Sequence, residues 1–372
     1  MNKIFIIGGG IAALSAARAA RQQDLSALIV LISEENALPY SRPMLTKQML
    51  GKVTAQDLAV ESFAWYEEQG IVALTGRQVT KVDVANHTLT AGGTEFAWDK
   101  LIFATGASCF VPPIPGSTNE NVMTIRQMDD VEKVRHAAKT AKNAVVIGGG
   151  VLGLEAASSL QEAGIHVTVL EYSKQLMQRQ IDQQAAQEIE AAMASKGVQL
   201  ITGAETTAID ETGVTLADGR HIAADLVIVS AGVRANLSLA KAAGVATDRH
   251  ITVDCAMRTN LPEVYAVGDC ASMGVSYALW AEASDMGRVA GANAAGGAQT
   301  YQAVARPLVF HGFGTELFAM GDCGKQEGVQ YEIGQMPGAR YYSVNGRLVG
   351  AVLTGDISRQ QSVEALLLSQ EA

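Results

Sequence analysis

The chain has 372 residues, 48% of them hydrophobic, with 38 acidic against 28 basic side chains and a formal charge of -10. That length exceeds one ordinary domain, and the acidity argues against nucleic acid or an anionic membrane as a partner. No apolar run approaches the roughly 18 residues that span a bilayer. The first strand begins within three residues, so no leader is expected and the expected location is cytoplasmic.

In chain order, a β-rich run at residues 3–7 leads into Gly8-Gly9-Gly10 and an alanine-rich helix opening on Ile11-Ala12-Ala13. The spacing is GxGxxA. Gly8 permits a tight strand-to-helix turn, Gly10 lets backbone approach a pyrophosphate, and Ala13 is small enough for close packing. The free N–H groups and dipole of such a helix start favour an anion. A second apolar run, residues 27–32, ends on Ser33-Glu34-Glu35. In strict register Ser33 takes the place of a ribose-binding acid. Glu34, one residue later, is assigned that role, with solvated loop charges as the plain alternative.

Leu38-Pro39-Tyr40-Ser41-Arg42-Pro43-Met44-Leu45-Thr46-Lys47 follows and contains no cysteine. Residues 78–89 alternate apolar and polar and predict an antiparallel meander. Residues 99–107 predict a strand ending in a small-residue turn at Thr105-Gly106. The proline-rich stretch 110–116 reads as an interdomain crossing.

A second copy of the opening pattern starts at residue 143. Gly148, Gly150 and Gly153 give a full GxGxxG, with Leu152 inside it, and a helix runs to Ala163 before Gly164. The next strand ends in Glu171, in strict register. A carboxylate there accepts hydrogen bonds from both ribose hydroxyls and repels a 2′-phosphate, which favours NADH over NADPH. Lys174 keeps NADPH open. Glu155, early in the helix, reads by itself as an ordinary first-turn acid. Residues 199–209 and 213–217 predict further antiparallel meanders. Residues 227–232 repeat the strand-and-turn form of 99–107 and end on Gly232. Residues 259–269 predict a strand and a turn at Gly268-Asp269, the aspartate just ahead of a helix. Tyr277 to Ala281 precede a small-residue helix over 282–295. Residues 306–321 are β-like, and 339–353 predict a hairpin around Asn345-Gly346.

The four cysteines, Cys109, Cys255, Cys270 and Cys323, form no CxxC and share no metal-ligand spacing with a histidine. They read as small apolar residues rather than nucleophiles, and no metal is expected.

The two glycine loops, the two small-residue strand ends and the VYAVGDCA run at 264–271 stand in one order over residues 1–300. In that order the chain resembles the pyridine nucleotide-disulfide oxidoreductase superfamily. The resemblance implies an α/β fold with two Rossmann-like dinucleotide-binding domains and a small α+β C-terminal domain. The NAD domain (116–242) would be inserted in the FAD domain (1–115 and 243–300), and 301–372 would form an interface domain. The cofactor-binding set this implies is Gly8, Gly10, Ile11, Ala12, Ala13, Glu34, Arg42, Pro43, Lys47, Val79, Thr105, Gly106, Gly268, Asp269 and Trp280, with Gly148, Gly150, Leu152, Gly153, Glu171 and Gly232 in the second half. FAD would occupy the first loop, Asp269 holding a ribityl hydroxyl, and NAD(H) the second.

Residues 38–47 are similar to the RPxLSK-like stretch of NADH:rubredoxin, flavorubredoxin and oxygenase-coupled ferredoxin reductases, a region where disulfide reductases carry redox cysteines. By that resemblance Lys47 points at the reactive flavin nitrogen and pairs with Glu155, the two catalytic candidates. A solvated lysine is the plain alternative for Lys47. Arg42 would contact the FAD pyrophosphate or hold the loop. Trp280 would wall the nicotinamide or be core.

The expected function is an FAD-dependent NADH oxidoreductase that passes hydride from NADH to FAD and then single electrons to a small iron protein such as rubredoxin. The alternatives are an NADH oxidase reducing dioxygen and a redox-sensing flavoprotein acting through protein interaction. Peroxidase and CoA-disulfide reductase chemistry are disfavoured, because those branches use a cysteine near position 42. A monomer or homodimer is expected. A net charge of -10 gives no global steering toward an acidic partner, so a local basic patch is needed, with Arg306, Arg340, Arg347 and Arg359 as candidates.

Overall fold

Five short apolar runs, none longer than five residues, build the first sheet. In spatial order they are Val264–Ala266, Lys100–Phe103, Lys3–Ile7, Leu28–Ile32 and Ile71–Leu74, all parallel. Parallel strands are covered on both faces, so they need runs such as IFII and LIVLI rather than alternation. This is a computed structural model, and it describes residues 1–274 and 278–371. Tyr277 lies outside the described residues. The chain divides into two compact units, Met1–Pro43 with Val53–Ser108 and Val233–Ala303, and Met44–Lys52 with Cys109–Gly232 and Val304–Ala372.

In the first unit the helices Ile11–Gln23 and Trp280–Ala294 cross through small residues. A Cβ on Gly287 would stand 2.3 Å from the Ala12 carbonyl oxygen, and one on Gly291 would stand 2.0 Å from that of Ala16. The contact therefore requires glycine at both places. Ser15 and Ser284 hydroxyls meet across it at 2.9 Å. Val79–Asp83, Thr88–Ala91 and Thr94–Ala97 form the expected antiparallel meander.

The second unit repeats the parallel plan. Its strands are Gln199–Thr202, His166–Glu171, Asn143–Ile147, Leu226–Val229 and Val122–Met123. Here one expectation fails. Residues 199–209 are not a single antiparallel meander: Gln199–Thr202 is the parallel edge of this sheet, and only Thr206–Asp210 pairs antiparallel with Gly213–Leu216. A four-residue strand such as Gln-Leu-Ile-Thr carries no mark of its partner's direction.

The C-terminal segment is a five-stranded antiparallel sheet, ordered Leu308–Gly312, Thr315–Gly321, Arg347–Thr354, Ala339–Val344 and Glu332–Met336, followed by the helix Gln360–Glu371. Asn345 and Gly346 both have positive φ, 51° and 74°, as a tight two-residue hairpin turn requires. Phe310, Phe313 and Leu317 share a core with Val146, Leu154 and Leu160 of the second nucleotide-type sheet and its helix. Among the described residues, no helix is long and apolar enough to cross a membrane, and no group of three or more metal-ligating side chains occurs.

Candidate functional site

The two glycine loops are built alike. Gly8 and Gly148 have φ of 143° and 121°, and each leaves its strand with its N–H donated to the neighbouring strand, to the Ile32 and Leu170 carbonyls at 2.8 Å. A Cβ on Gly8 would lie 2.0 Å from the Ala104 carbonyl oxygen, and one on Gly148 would lie 2.3 Å from that of Ser230. Each loop is thus pressed against the end of a neighbouring strand, Lys100–Phe103 or Leu226–Val229, and no side chain fits between. The helices that follow, Ile11–Gln23 and Val151–Glu162, start without a side-chain cap. Nothing stands within 4 Å of where a Cβ would sit on Gly10 or Gly150. Uncapped N–H groups facing open space fit a pyrophosphate. Ala13 and Gly153 are the small residues of the third position, and a Cβ on Gly153 would meet the Gly148 carbonyl at 2.2 Å. Ile11 and Ala12 are buried behind the first loop, whereas Leu152 is 46% exposed beside the second.

The loops differ at the end of the second strand. Register pairs Ile7 with Ile32 and Ile147 with Leu170, so Ser33 is the counterpart of Glu171. Glu171 accepts from the Gly149 N–H at one carboxylate oxygen and the Ser173 N–H at the other, both at 2.7 Å. This fixes the carboxylate and leaves it lone pairs for ribose hydroxyls. Ser33 is buried against Gly9, and Glu34 is exposed. The neighbouring Glu35 is the engaged acid: it accepts from the Tyr40 hydroxyl at 2.5 Å and forms an ion pair with Arg42.

That pair ties Arg42 to the acid after the second strand, within the first unit. Its guanidinium also lies over the Tyr40 ring, 5.2 Å from the centroid. Burial opposes the charge on Arg42, but Tyr40, Glu35 and Asp269 outweigh it and hold the guanidinium above its usual range. Asp269 therefore stands near Arg42. It lies in the short 3-10 turn Gly268–Cys270, and the helix expected just after it begins only at Trp280. Space restores what sequence separates. A Cβ on Gly268 would meet Ala12 at 2.9 Å and Ala283 at 3.6 Å, so the turn touches both crossing helices.

Thr105 and Gly106 are locked by Asn236, a residue the sequence reading did not single out. The Thr105 hydroxyl donates to the Asn236 carbonyl at 3.0 Å, the Asn236 amide donates to the Thr105 carbonyl at 2.9 Å, and the Asn236 N–H donates to Gly106 at 2.9 Å. Val79 and Trp280 are both partly buried against the first unit's core. Pro43 closes the first segment of that unit, and Gly232 is exposed and accepts the Phe110 N–H at 2.8 Å.

The structure brings Lys47 and Glu155 together within the second unit. Glu155 is 4% exposed on the helix Val151–Glu162. Lys47 Nζ lies 3.8 Å from its Oε1, and the Thr46 hydroxyl donates to Oε2 at 2.5 Å. Ser159 ties down the same segment by donating to the Thr46 carbonyl at 3.0 Å. Arg135 donates to the Met49 and Gln48 carbonyls at 2.8 and 3.1 Å. Burial pushes the Glu155 carboxyl up, while the Thr46 hydroxyl, Lys47 and His311 pull it down. Thr46 was missed in the sequence because a hydroxyl before a lysine carries no distinguishing spacing.

The cysteines supply no redox pair. Cys270 is buried, and burial pushes its thiol up. Cys323 is pushed up to about 12 by burial and by Asp182 and Asp322. Of the four arginines proposed for a basic patch, Arg340 is corrected: it is 4% exposed and bonds Asp182 at 2.7 Å and Glu188 at 3.2 Å. Asp182 caps the helix Gln183–Ser195, so Arg340 ties the C-terminal sheet to that helix rather than facing a partner.

Residues 2–287 match the family described as Pyridine nucleotide-disulphide oxidoreductase. The chain belongs to this family. The family is FAD-dependent and uses NAD(P)H. A curated relative in Bacillus subtilis (strain 168), the "Assimilatory nitrate reductase electron transfer subunit", is 32% identical over 355 residues. That match covers 92% of this chain and 46% of the relative, so the chain spans about half the length of that protein. The "Nitric oxide reductase FlRd-NAD(+) reductase" of Vibrio vulnificus (strain CMCP6) is 34% identical, with 73% of this chain and 72% of the relative covered. Among solved structures, the "Ferredoxin Reductase for the CYP199A2 System from Rhodopseudomonas palustris" is 26% identical with a TM-score of 0.91, covering all of this chain and 95% of the other. The α/β fold with two parallel Rossmann-like sheets and a C-terminal antiparallel sheet is the fold of that reductase.

Proposed function

We propose that this chain is an FAD-dependent NADH oxidoreductase that delivers single electrons to a small iron protein of the rubredoxin or ferredoxin type. The observation that carries the reading is the presence of two open, uncapped glycine loops in one chain, only the second of which has a fixed carboxylate, Glu171, at its ribose position. The names of the Vibrio and Rhodopseudomonas relatives support a carrier protein as acceptor.

In this reading residues 1–115 and 243–300 hold FAD, residues 116–242 hold NADH, and 301–372 serve partner or subunit contacts. FAD, when bound, supplies two-electron uptake and one-electron release, which no side chain can do. The helix start after Gly10 would take the FAD pyrophosphate, Asp269 would accept from a ribityl hydroxyl, and Arg42 would hold the loop. Glu171 accepts from the adenosine ribose of NADH and disfavours a 2′-phosphate. Lys47 would supply a positive charge to stabilise a reduced flavin, with Glu155 as the partner of its ammonium.

The test is anaerobic stopped-flow mixing of the flavin-loaded protein with NADH. Flavin bleaching is expected, and its absence would sink the reading. Steady-state turnover with rubredoxin, ferredoxin, dioxygen and a dye then assigns the acceptor, and fastest turnover with dioxygen would assign an oxidase instead. Lys47→Met is expected to slow bleaching about tenfold or more, the effect of losing one positioned charge, and an unchanged rate rejects its role.

A further inference from the structure

Within the second unit, a continuous run of contacts joins the ribose-position acid to the C-terminal sheet. Glu171 ends its strand, and residues 172–182 carry the chain to the helix Gln183–Ser195. Midway, the Met177 N–H donates to the Gly149 carbonyl at 3.3 Å, and Gly149 is the residue whose own N–H holds Glu171 Oε2. Leu176, fully buried, fills the place of a Gly149 side chain: a Cβ there would meet its Cδ2 at 2.5 Å and Glu171 Oε2 at 3.0 Å. The Gln175 amide spans the rest of the segment, donating to the Ile181 carbonyl at 3.0 Å and the Asp182 carbonyl at 3.3 Å. At Asp182 the C-terminal sheet takes hold. Arg340 Nε donates to Oδ2 at 2.7 Å, and the Tyr342 hydroxyl donates to the same oxygen. Oδ1 caps the helix by accepting the Ala185 N–H at 2.7 Å.

We propose that Asp182, Arg340 and Tyr342 are positioning residues for the Glu171 carboxylate, acting through Gln175, Met177 and Gly149. Residues 172–182 are turns and bends, so their shape rests on these bonds. One of them needs an external hold. Met177 has a φ of 44°, a left-handed conformation that is unfavourable for a residue with a side chain and persists only where neighbours fix it. The brace at Asp182 is suited to that task. The Arg340 guanidinium is buried, and its other bond, to Glu188 at 3.2 Å, lies on the helix that Asp182 caps. Loop end and helix are thereby tied to the sheet as one body by charge-assisted hydrogen bonds, which fix direction as well as distance. A carboxylate that must meet two ribose hydroxyls has to be held to within about 0.5 Å by the residues behind it. With the brace released, the Met177 bond to Gly149 loosens, and so does the backbone that aims Glu171. The C-terminal sheet thus takes a share in nucleotide recognition from a distance.

The consequence for nucleotide binding rests on the ribose role proposed above for Glu171, whereas the brace does not. Two measurements separate them. The first is calorimetric titration of the flavin-loaded protein with ADP-ribose, which has the adenosine ribose and pyrophosphate of NADH but no hydride to give. Tyr342→Phe is expected to weaken binding about twofold, and Asp182→Ser combined with Arg340→Met about fivefold. Serine keeps a helix cap at position 182, and methionine leaves no buried charge unpaired, so the double variant should fold. In a Glu171→Ser background the same double change should cost at most about 1.5-fold more. An undiminished fivefold loss in that background, or no loss in the parent, overturns the positioning role. The second measurement is hydrogen exchange of the purified chain, comparing the peptide 172–181 with the core strand Asn143–Ile147. The first should exchange about tenfold faster in the double variant while the core strand is unchanged. Unaltered exchange of 172–181, or equal acceleration of both peptides, overturns the brace. If ADP-ribose does not bind the unmodified protein, it is the ribose reading that fails, and the exchange rates still decide the brace.

Discussion

The first and second glycine loops share a backbone and differ in what surrounds it. Both press a left-handed glycine against a neighbouring strand end, with Cβ positions 2.0 and 2.3 Å from a carbonyl oxygen. Both open an uncapped helix. The first loop's helix is then crossed by Trp280–Ala294 at backbone contact distance, and its ribose position holds a buried serine. The second loop's helix carries a buried glutamate and meets a lysine segment and a C-terminal strand, and its ribose position holds a fixed carboxylate. The motif therefore specifies a phosphate cradle, while the surrounding contacts decide how it is used.

The largest effect that would break this comparison comes from the loop glycines. Gly8→Val places a side chain on a carbonyl in a left-handed conformation, so the protein should retain no flavin after purification. Gly148→Val should retain flavin yet fail to be bleached by NADH. Equal loss of flavin in both variants would show that the loops are not separable. Next, Gly291→Ala pushes a methyl onto the Ala16 carbonyl and should cost about 2–3 kcal/mol by overpacking, read as a lowered urea midpoint.

Smaller still is the ribose position. Glu171→Ser makes the second loop resemble the first and should weaken NADH binding about tenfold, roughly 1.4 kcal/mol, with no loss for NADPH. Equilibrium titration with each nucleotide checks this, and equal weakening of both would reject the assigned role. The smallest effect is on pH-dependent stability. Burial raises the Glu155 carboxyl in the folded state, so its favourable contribution is present below the ordinary carboxylate range. That contribution is lost as pH rises through the folded value. Glu155→Gln should therefore gain in melting temperature relative to the parent as pH rises from about 4 to 8. A constant difference would show that the carboxyl is not penalised by burial.

Much of this was legible in the residues. GxGxxA and GxGxxG at the ends of apolar runs, and Glu171 in register, each follow from short-range spacing, and the fold class followed from the family resemblance those motifs carry. Lys47 and Glu155 could be paired only through the family resemblance, since 108 positions separate them. Other features were not legible. Gln199–Thr202 looked like a meander strand because so short a run does not encode pairing direction. Arg340 looked like a surface charge because its partners, Asp182 and Glu188, lie about 150 positions away. The engaged acid after the second strand is Glu35 rather than Glu34, because the partners Tyr40 and Arg42 fold back onto it.

The sequence by itself determined the two cradles, since turn geometry and close backbone approach demand particular residues at particular short spacings. Only the tertiary structure decided the company each cradle keeps: Gly291 against Ala16, Asn236 on the Thr105 turn, and the Thr46 hydroxyl on Glu155. Those contacts join residues far apart in the chain, and their strength comes from burial and mutual charge, which have no local signature in a sequence.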